Sequence, residues 1–544
     1  MTAESPSQGK STGVAQSPVV YWLAVGLVIL GLLNVTPAIP GWDGLWKTIT
    51  GYSDFKIRRF PTEWLYPIVF AWMMLIVALA HSIWQSFKDS SKVKRGFGLL
   101  LDLALVFAAI LISLTYLIEI EAVCLIDVLT GDRVRLMAEA LQSEVEYMEM
   151  MGLPIPDTAD DPACLNTTHN FLPLILFGSV VIFLAYNIKV WGLPLVLVSI
   201  FIASYTFLTV MNWYFFGPDG QNKYLVTILS SEEVRSLTSG REFVRDALVN
   251  NGSGLLGRFI NILMLLVFPY IILGALFGQC SGGKALIKLA FSLTRNLRGG
   301  PAHAAVVSSA MFGTITGGPV VNVLSTGVLT IPMMLKRGFS RVFAGGVEAA
   351  ASSGGSIMPP IMGVAAFIMA ALTGVPYRDI IVAAAIPALF YFFCLFLSVI
   401  FQARKQKIEA VGELTKEMLL TKHDKLQLLQ IFGPVLLVLA LLLTPKDVIG
   451  CSWFSVLLGG VVEVSGDTCK IISLPWLVQL LQNSAGDAGS AGWWATALLI
   501  VLFFLDKNIR VNPSKLVHAL SNAGILVSTL YLMFLAVSVI DFCL

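Results

Sequence analysis

Eleven apolar tracts, most of them near twenty residues long, dictate what this chain can fold into. They run at 19–36, 64–84, 97–118, 171–190, 192–211, 255–278, 343–372, 379–401, 426–444, 491–505 and 523–542. A hydrocarbon layer about 30 Å thick is crossed by about 20 residues of helix, and a spanning segment must satisfy its own peptide groups. Composition agrees: 56% of the 544 residues are hydrophobic and 13% are charged, about half the roughly 25% of a soluble domain. The 36 Lys and Arg nearly balance the 34 Asp and Glu. Disorder is excluded by the hydrophobicity, and a nucleic-acid partner by the lack of a basic field. The expectation is an all-α polytopic membrane protein with about eleven transmembrane helices plus one re-entrant helical hairpin.

The first tract is not a signal peptide. It follows an 18-residue polar leader and ends at Asn34-Val35-Thr36-Pro37, without a small-residue cleavage pattern. A cytoplasmic N-terminus, with 303–333 entering and leaving by one face, puts 22 of the 36 basic residues on the cytoplasmic side. Among them are Lys92, Lys94 and Arg95, and the most basic loop, 402–425. A full crossing at 303–333 would move that loop outside, so the charge pattern favours a hairpin there.

On the outer side, 119–162 is acidic, with helical character near 132–150, and 219–246 mixes both signs. Each reads either as a solvated extramembrane helix or as a surface that receives a soluble partner. The seven cysteines include no Cys-x-x-Cys. Cys124 with Cys164, and Cys451 with Cys469, fall outside and could pair as disulfides or remain free and buried. The five histidines never cluster, which leaves no metal-centre motif. The stretch 445–490 carries short or re-entrant elements at 449–462 and 471–482.

Gly278-x-x-x-x-Gly283-Lys284 approaches a phosphate-binding loop, but Ala285 stands where a Mg²⁺-binding hydroxyl belongs and an apolar helix precedes it. ATP-driven transport by this chain is therefore not expected, and no acid–base constellation marks an enzyme.

The chemistry concentrates at 299–374. Gly313-Thr314-Ile315-Thr316-Gly317-Gly318-Pro319, then Asn322, Ser325-Thr326-Gly327 and Ile331-Pro332, break an apolar stretch in its middle. Broken backbone at membrane depth must be buried in protein or line a wet cavity, because lipid cannot satisfy it. A helix–break–helix hairpin over 303–333 with its tip near 314–322 follows. Helix ends there offer N–H groups to anions and carbonyls to cations. Thr314, Thr316 and Asn322 add neutral oxygens suited to a hard cation. The next tract, 343–372, contains Glu348, then Ser352-Ser353-Gly354-Gly355 and Pro359-Pro360, and should unwind at its centre. A carboxylate at that depth is functional or is paired with a base such as Arg341. The resulting substrate and ion site comprises Thr314, Thr316, Gly317, Gly318, Asn322, Thr326, Glu348, Ser352, Ser353, Gly354 and Gly355. Thr316, Gly317, Asn322 and Ser353 are the expected ligands for Na⁺, with H⁺ as the other driving ion.

Pro301-Ala302-His303 through Gly313-Thr314-Ile315, and Ala344-Gly345-Gly346-Val347-Glu348 through Met358-Pro359-Pro360-Ile361-Met362-Gly363, resemble the membrane subunit of tripartite ATP-independent periplasmic (TRAP) transporters. The likeness is nearest to the branch with fused small and large subunits. It implies an elevator-type secondary symporter in the bacterial inner membrane, usually Na⁺-driven. It further implies import of an organic anion such as a dicarboxylate, delivered by an extracytoplasmic solute-binding protein, often of the TAXI type. On this chain it implies a leader at 1–18 and small-subunit-like scaffold at 19–190, whose acidic extracytoplasmic segment is 119–170. Further scaffold follows at 191–300, a transport repeat at 301–401 and more scaffold at 402–544. Two features depart from the pattern. Gly318-Pro319-Val320-Val321 replaces small polar residues after the tip, and no second, inverted repeat follows. The expectation is that a second membrane polypeptide supplies the other transport half.

Overall fold

The computed structural model describes residues 17–35, 60–88, 91–152, 160–216, 244–250, 254–278, 282–411, 419–444, 451, 461–465, 468–473 and 475–543. Helices dominate. They are α1 (Pro18–Val35), α2 (Thr62–Ala80), α3 (Lys92–Glu119), α4 (Asp132–Met151), α5 (Leu172–Val190), α6 (Leu193–Phe216), α7 (Arg258–Phe277) and α8 (Gly282–Thr294). After these come α9 (Gly300–Thr316), α10 (residues 319–336), α11 (Arg341–Gly354), α12 (Val364–Thr373), α13 (Tyr377–Lys405) and α14 (Lys422–Leu443). The chain ends with α15 (Trp476–Ser484), α16 (Ala488–Phe503) and α17 (Ser514–Cys543).

Among the described residues, seven helices are long and apolar enough to cross a bilayer, and four shorter apolar ones accompany them. Nine of the eleven apolar tracts fall on single helices, and 64–84 runs from α2 into the turn that follows it. The eleventh, 343–372, is divided between α11 and α12, as its Gly and Pro residues require. In 445–490 the described residues form a two-stranded antiparallel hairpin, β1 (Val461–Ser465) with β2 (Thr468–Ser473), and then α15. The expected element at 471–482 is thus part strand and part helix. The polar leader at 1–16 and most of 219–246 lie outside the described residues.

The described residues divide into two compact units: those within 17–30, 60–260 and 524–543 form one, those within 31–35 and 261–523 the other. In the first unit Asp102, buried on α3, joins three helices. It accepts from Ser82 Oγ at 2.6 Å, from the Ile83 and Trp84 amides at 2.9 and 3.1 Å, and from Tyr186 Oη at 3.0 Å. A buried carboxylate with four donors caps the turn after α2 and holds α5 beside it. Large side chains on the outer faces of α5 and α6 are bare, Phe177 at 72% and Phe201 at 73% exposure. That is a surface suited to hydrocarbon rather than water. An apolar groove of about 1050 Å³ runs between these two helices, past Phe177, Leu184, Ala203 and Phe207.

Cys124 and Cys164 form a disulfide across 40 residues, enclosing α4. Cys451 is also disulfide-bonded, while the Cys469 side chain lies outside the described residues. Beside the first bond, Asp127 is fully buried and accepts from the Leu165 and Asn166 amides at 2.7 and 2.9 Å and from Asn166 Nδ2 at 2.8 Å. Burial raises its carboxyl, but these hydrogen bonds and the nearby Arg133 guanidinium prevail and hold it below the usual carboxylate range. A carboxyl lowered by folding adds stability above its unfolded value, near 3.9, and loses it as pH falls through the folded value. Asp127→Asn at pH 7 should therefore loosen the 160–166 segment by about 1–3 kcal/mol. Acidifying the parent protein from about pH 4 down through that lowered value should do the same progressively. Exchange of the Leu165 and Asn166 amides, corrected for intrinsic rate, reads both effects.

Candidate functional site

The hairpin forms where the sequence breaks its own helix. Pro301 opens α9 in its first turn, where a missing N–H costs nothing. Gly317 closes it with φ +58°, and its amide bonds to the Gly313 carbonyl at 3.1 Å. A Cβ on Gly317 would also lie 2.6 Å from the Met362 carbonyl oxygen, so glycine is required there for both conformation and space. Pro319 then starts α10, which contains a π-turn at Val323–Gly327 before resuming at Val328–Lys336. Such turns displace side chains from regular helical register and recur at functional sites.

Ser340 caps α11, its Oγ accepting from the Phe343 amide at 3.3 Å. That helix ends at Gly354, passes through one tight turn at Gly355–Ile357, and leaves 358–363 irregular before α12. The two broken elements meet at their carboxyl ends. Gly313 and Gly355 touch backbone to backbone, so closely that a Cβ on Gly313 would lie 2.3 Å from Gly355 Cα. The irregular strand laces the ends together: Ile361 N donates to Thr314 O at 3.3 Å, and Gly363 N to Ser356 O at 2.7 Å. Two helix C-termini therefore converge, each carrying about half a negative charge on its last carbonyls. Converging carbonyl ends form an environment for a cation.

Next to them is a buried polar cluster. Glu348 is 1% exposed. Thr326 Oγ1 donates to its Oε1 at 2.5 Å and Thr330 Oγ1 to its Oε2 at 2.5 Å. Ser309 Oγ and Ser352 Oγ stand 3.3 and 3.4 Å from Oε1. Gly327 lets the carboxylate lie against α10, since a Cβ there would be 3.1 Å from Glu348 Cγ. Asn322, fully buried, donates from Nδ2 to the Ser309 carbonyl at 2.8 Å, and its own carbonyl accepts from Thr326 Oγ1 at 2.8 Å.

Of the residues expected from sequence, the fold gathers Asn322, Thr326, Glu348, Ser352 and Gly355, with Gly317 and Gly318 at the tip. Thr314 and Thr316 turn their hydroxyls back to the carbonyls of Met311 and Phe312, at 2.7 and 3.3 Å. Ser353 is exposed, one helical step round from Ser352. Gly354 packs on Tyr391, whose ring would lie 2.3 Å from a Cβ there. Arg341 is exposed, and the described partners of Glu348 are hydroxyls rather than a base. Ser309 and Thr330 were not foreseen. The available signal was the four-residue spacing of Thr326 and Thr330, which puts two hydroxyls on one helical face opposite the carboxylate.

A hairpin seated on an interrupted helix, among helices long enough to span a bilayer, defines a multi-pass membrane protein with a site built from broken backbone. Residues 177–543, about two thirds of the chain, match the family model of the tripartite ATP-independent periplasmic transporter, DctM component. The chain belongs to that family.

Relatives are similar over shorter stretches. The C4-dicarboxylate TRAP transporter large permease protein DctM of Vibrio cholerae is 30% identical over 151 residues, 28% of this chain and 33% of its own length. The protein of the same name from Pseudomonas aeruginosa is 27% identical over 148 residues, 27% of this chain and 34% of its own. The isethionate TRAP transporter permease protein DctMQ of Oleidesulfovibrio alaskensis is 32% identical over 97 residues, 18% of this chain and 15% of its own. In each case the chain spans well under two thirds of the relative.

Proposed function

We propose that this chain is the membrane permease component of a secondary importer of organic anions, driven by Na⁺ and supplied by an extracytoplasmic solute-binding protein. The observation that carries the reading is the meeting of two helix C-termini at Gly313 and Gly355, because paired carbonyl ends at membrane depth suit a coupling cation. The substrate class is argued from the relatives' names, a C4-dicarboxylate and a sulfonate, both small organic anions. In this reading α9 to α12 move as one body against the remaining helices, in an elevator motion within the bacterial inner membrane, with the N-terminus cytoplasmic. The described residues hold one hairpin and one interrupted helix. An inverted-repeat carrier closes its site with two such pairs, so this reading requires a second pair to complete it. The receptor class is TAXI-like in this reading.

The test is uptake of labelled succinate and isethionate into proteoliposomes under an imposed Na⁺ gradient, with and without purified receptor. Uptake that requires both is expected. Uptake indifferent to the receptor would favour a free-standing carrier, and uptake following only a proton gradient would replace the driving ion. No uptake in the presence of every partner would favour a non-transporting scaffold.

A further inference from the structure

Glu348 could hold an ion itself or could hold the groups that do. Oxygen spacing decides between these roles. A hard cation keeps its ligand oxygens about 2.3–2.6 Å away, which puts neighbouring ligands about 3.3–3.6 Å from each other. Ser309 Oγ and Ser352 Oγ, at 3.3 and 3.4 Å from Oε1, stand at that wider spacing, but the two threonine hydroxyls sit at 2.5 Å from the carboxylate oxygens, and Ser309 Oγ lies 3.1 Å from Thr326 Oγ1. The threonine contacts, which engage both carboxylate oxygens, are hydrogen bonds with no room for an ion between donor and acceptor.

The cluster also has a direction. Thr326 has one hydroxyl proton and two acceptors, the carboxylate at 2.5 Å and the Asn322 carbonyl at 2.8 Å. Thr330 is placed alike, between the carboxylate at 2.5 Å and the Thr326 carbonyl at 3.1 Å. Each threonine could bond entirely within α10; Glu348 draws both hydroxyls across to α11. Ser309 brings in α9, and its carbonyl is the acceptor that fixes the Asn322 amide. One carboxylate thus ties both arms of the hairpin to the interrupted helix, a single bond away from Asn322.

We infer that Glu348 is a positioning residue: with Ser309, Thr326, Thr330 and Ser352 it forms a dry lock that joins the hairpin to α11 and fixes Asn322 beside the converging carbonyl ends. The ion-affinity part of this inference rests on the cation reading above; the lock itself does not. The full chain, reconstituted with its partners, supplies two readouts: hydrogen exchange across 319–336, and the Na⁺ dependence of uptake. Glu348→Ala is expected to speed exchange there about tenfold and to raise half-saturating Na⁺ about tenfold, with a smaller fall in maximal rate. Thr330→Val, which removes one donor and keeps the shape, moves both readouts less and in the same direction. Glu348→Gln recovers most of the loss, because its oxygen still accepts from Thr326 and its amide meets a hydroxyl able to turn and accept.

If Glu348→Gln is as damaging to Na⁺ dependence as Glu348→Ala while exchange stays slow in both, the carboxylate acts on the ion and the inference is overturned. If wild-type uptake ignores Na⁺, the cation reading fails, and the exchange data still decide the lock. Slow exchange retained in Glu348→Ala would end it; should that variant not fold, unaltered exchange in Thr330→Val would do so.

Discussion

Gly313→Val will reduce uptake to background, at least a hundredfold below wild type, and Gly355→Val will do the same. The contact between these glycines is backbone on backbone. A Cβ on Gly313 would lie 2.3 Å from Gly355 Cα, and one on Gly355 would lie 2.8 Å from both Gly313 Cα and Asn322 Nδ2. Carbon atoms need about 3.5–4.0 Å, so α9 and α11 must separate by more than an ångström. No flexible side chain can absorb that shift. The separation would stretch the hydroxyl contact between Ser309 and Glu348, and a side chain at Gly355 would also push the Asn322 amide off the Ser309 carbonyl, now at 2.8 Å. Several buried polar groups would lose partners together, each at about 1–3 kcal/mol. Gly345 and Gly346 supply the control from the same motif. A Cβ at either meets nothing within 4 Å, so alanine there should leave uptake intact and favour the helix by about 1 kcal/mol. Uptake normalised to the amount of monodisperse protein separates the two outcomes. Wild-type uptake by Gly313→Val would show that the two broken helices do not need to touch.

Much of this architecture was legible because the bilayer is a demanding solvent. A tract such as 97–118 has one way to bury its peptide groups in lipid, and it becomes part of α3. Gly317-Gly318-Pro319 marked the hairpin tip for a similar reason: the left-handed turn and missing amide admit few alternatives. The stretch 445–490 was harder, since a short strand pair and a nine-residue helix leave no apolar tract of spanning length. At the site, sequence distance concealed the assembly. Ser309, Thr330 and Glu348 lie on three helices, and only packing brings the two hydroxyls within 3.3 Å of the Glu348 carboxylate. Arg341 was a reasonable partner by proximity along the chain, but seven residues of helix carry it about 10 Å from Glu348 along the axis. Ser352 and Ser353 show the same limit at finer scale. Adjacent residues turn about 100° apart on a helix, so one reaches the carboxylate and the other is exposed.

On the proposed Na⁺ coupling, Asn322→Ala will raise the Na⁺ concentration for half-maximal uptake more than tenfold, whereas Thr316→Ala will change it less than threefold. The sequence treats these residues alike, as neutral oxygens at a hairpin tip; their bonding does not. Thr316 Oγ1 is engaged with the carbonyl one turn back, at 3.3 Å, and is half-buried. Its removal costs a local helix bond of the kind that contributes little. Asn322 is fully buried, braced through Nδ2 on Ser309 O, and pressed against Gly355. Its Oδ1 accepts from Thr326 Oγ1 at 3.5 Å, a weaker contact than the Nδ2 bond to Ser309. Alanine there removes an oxygen, leaves the Ser309 carbonyl without the Asn322 donor, and opens a void at the closest contact between α9 and α11. Asn322→Asp distinguishes the contributions: it keeps the oxygen and adds charge, but loses the donor to Ser309. If the oxygen dominates, the aspartate variant retains Na⁺ dependence with a shifted midpoint; if the brace dominates, it fails as alanine does. Na⁺ titrations of uptake at fixed membrane potential provide the numbers. A larger effect at Thr316 than at Asn322 would favour the hairpin's tip over its second arm as the place for the proposed cation.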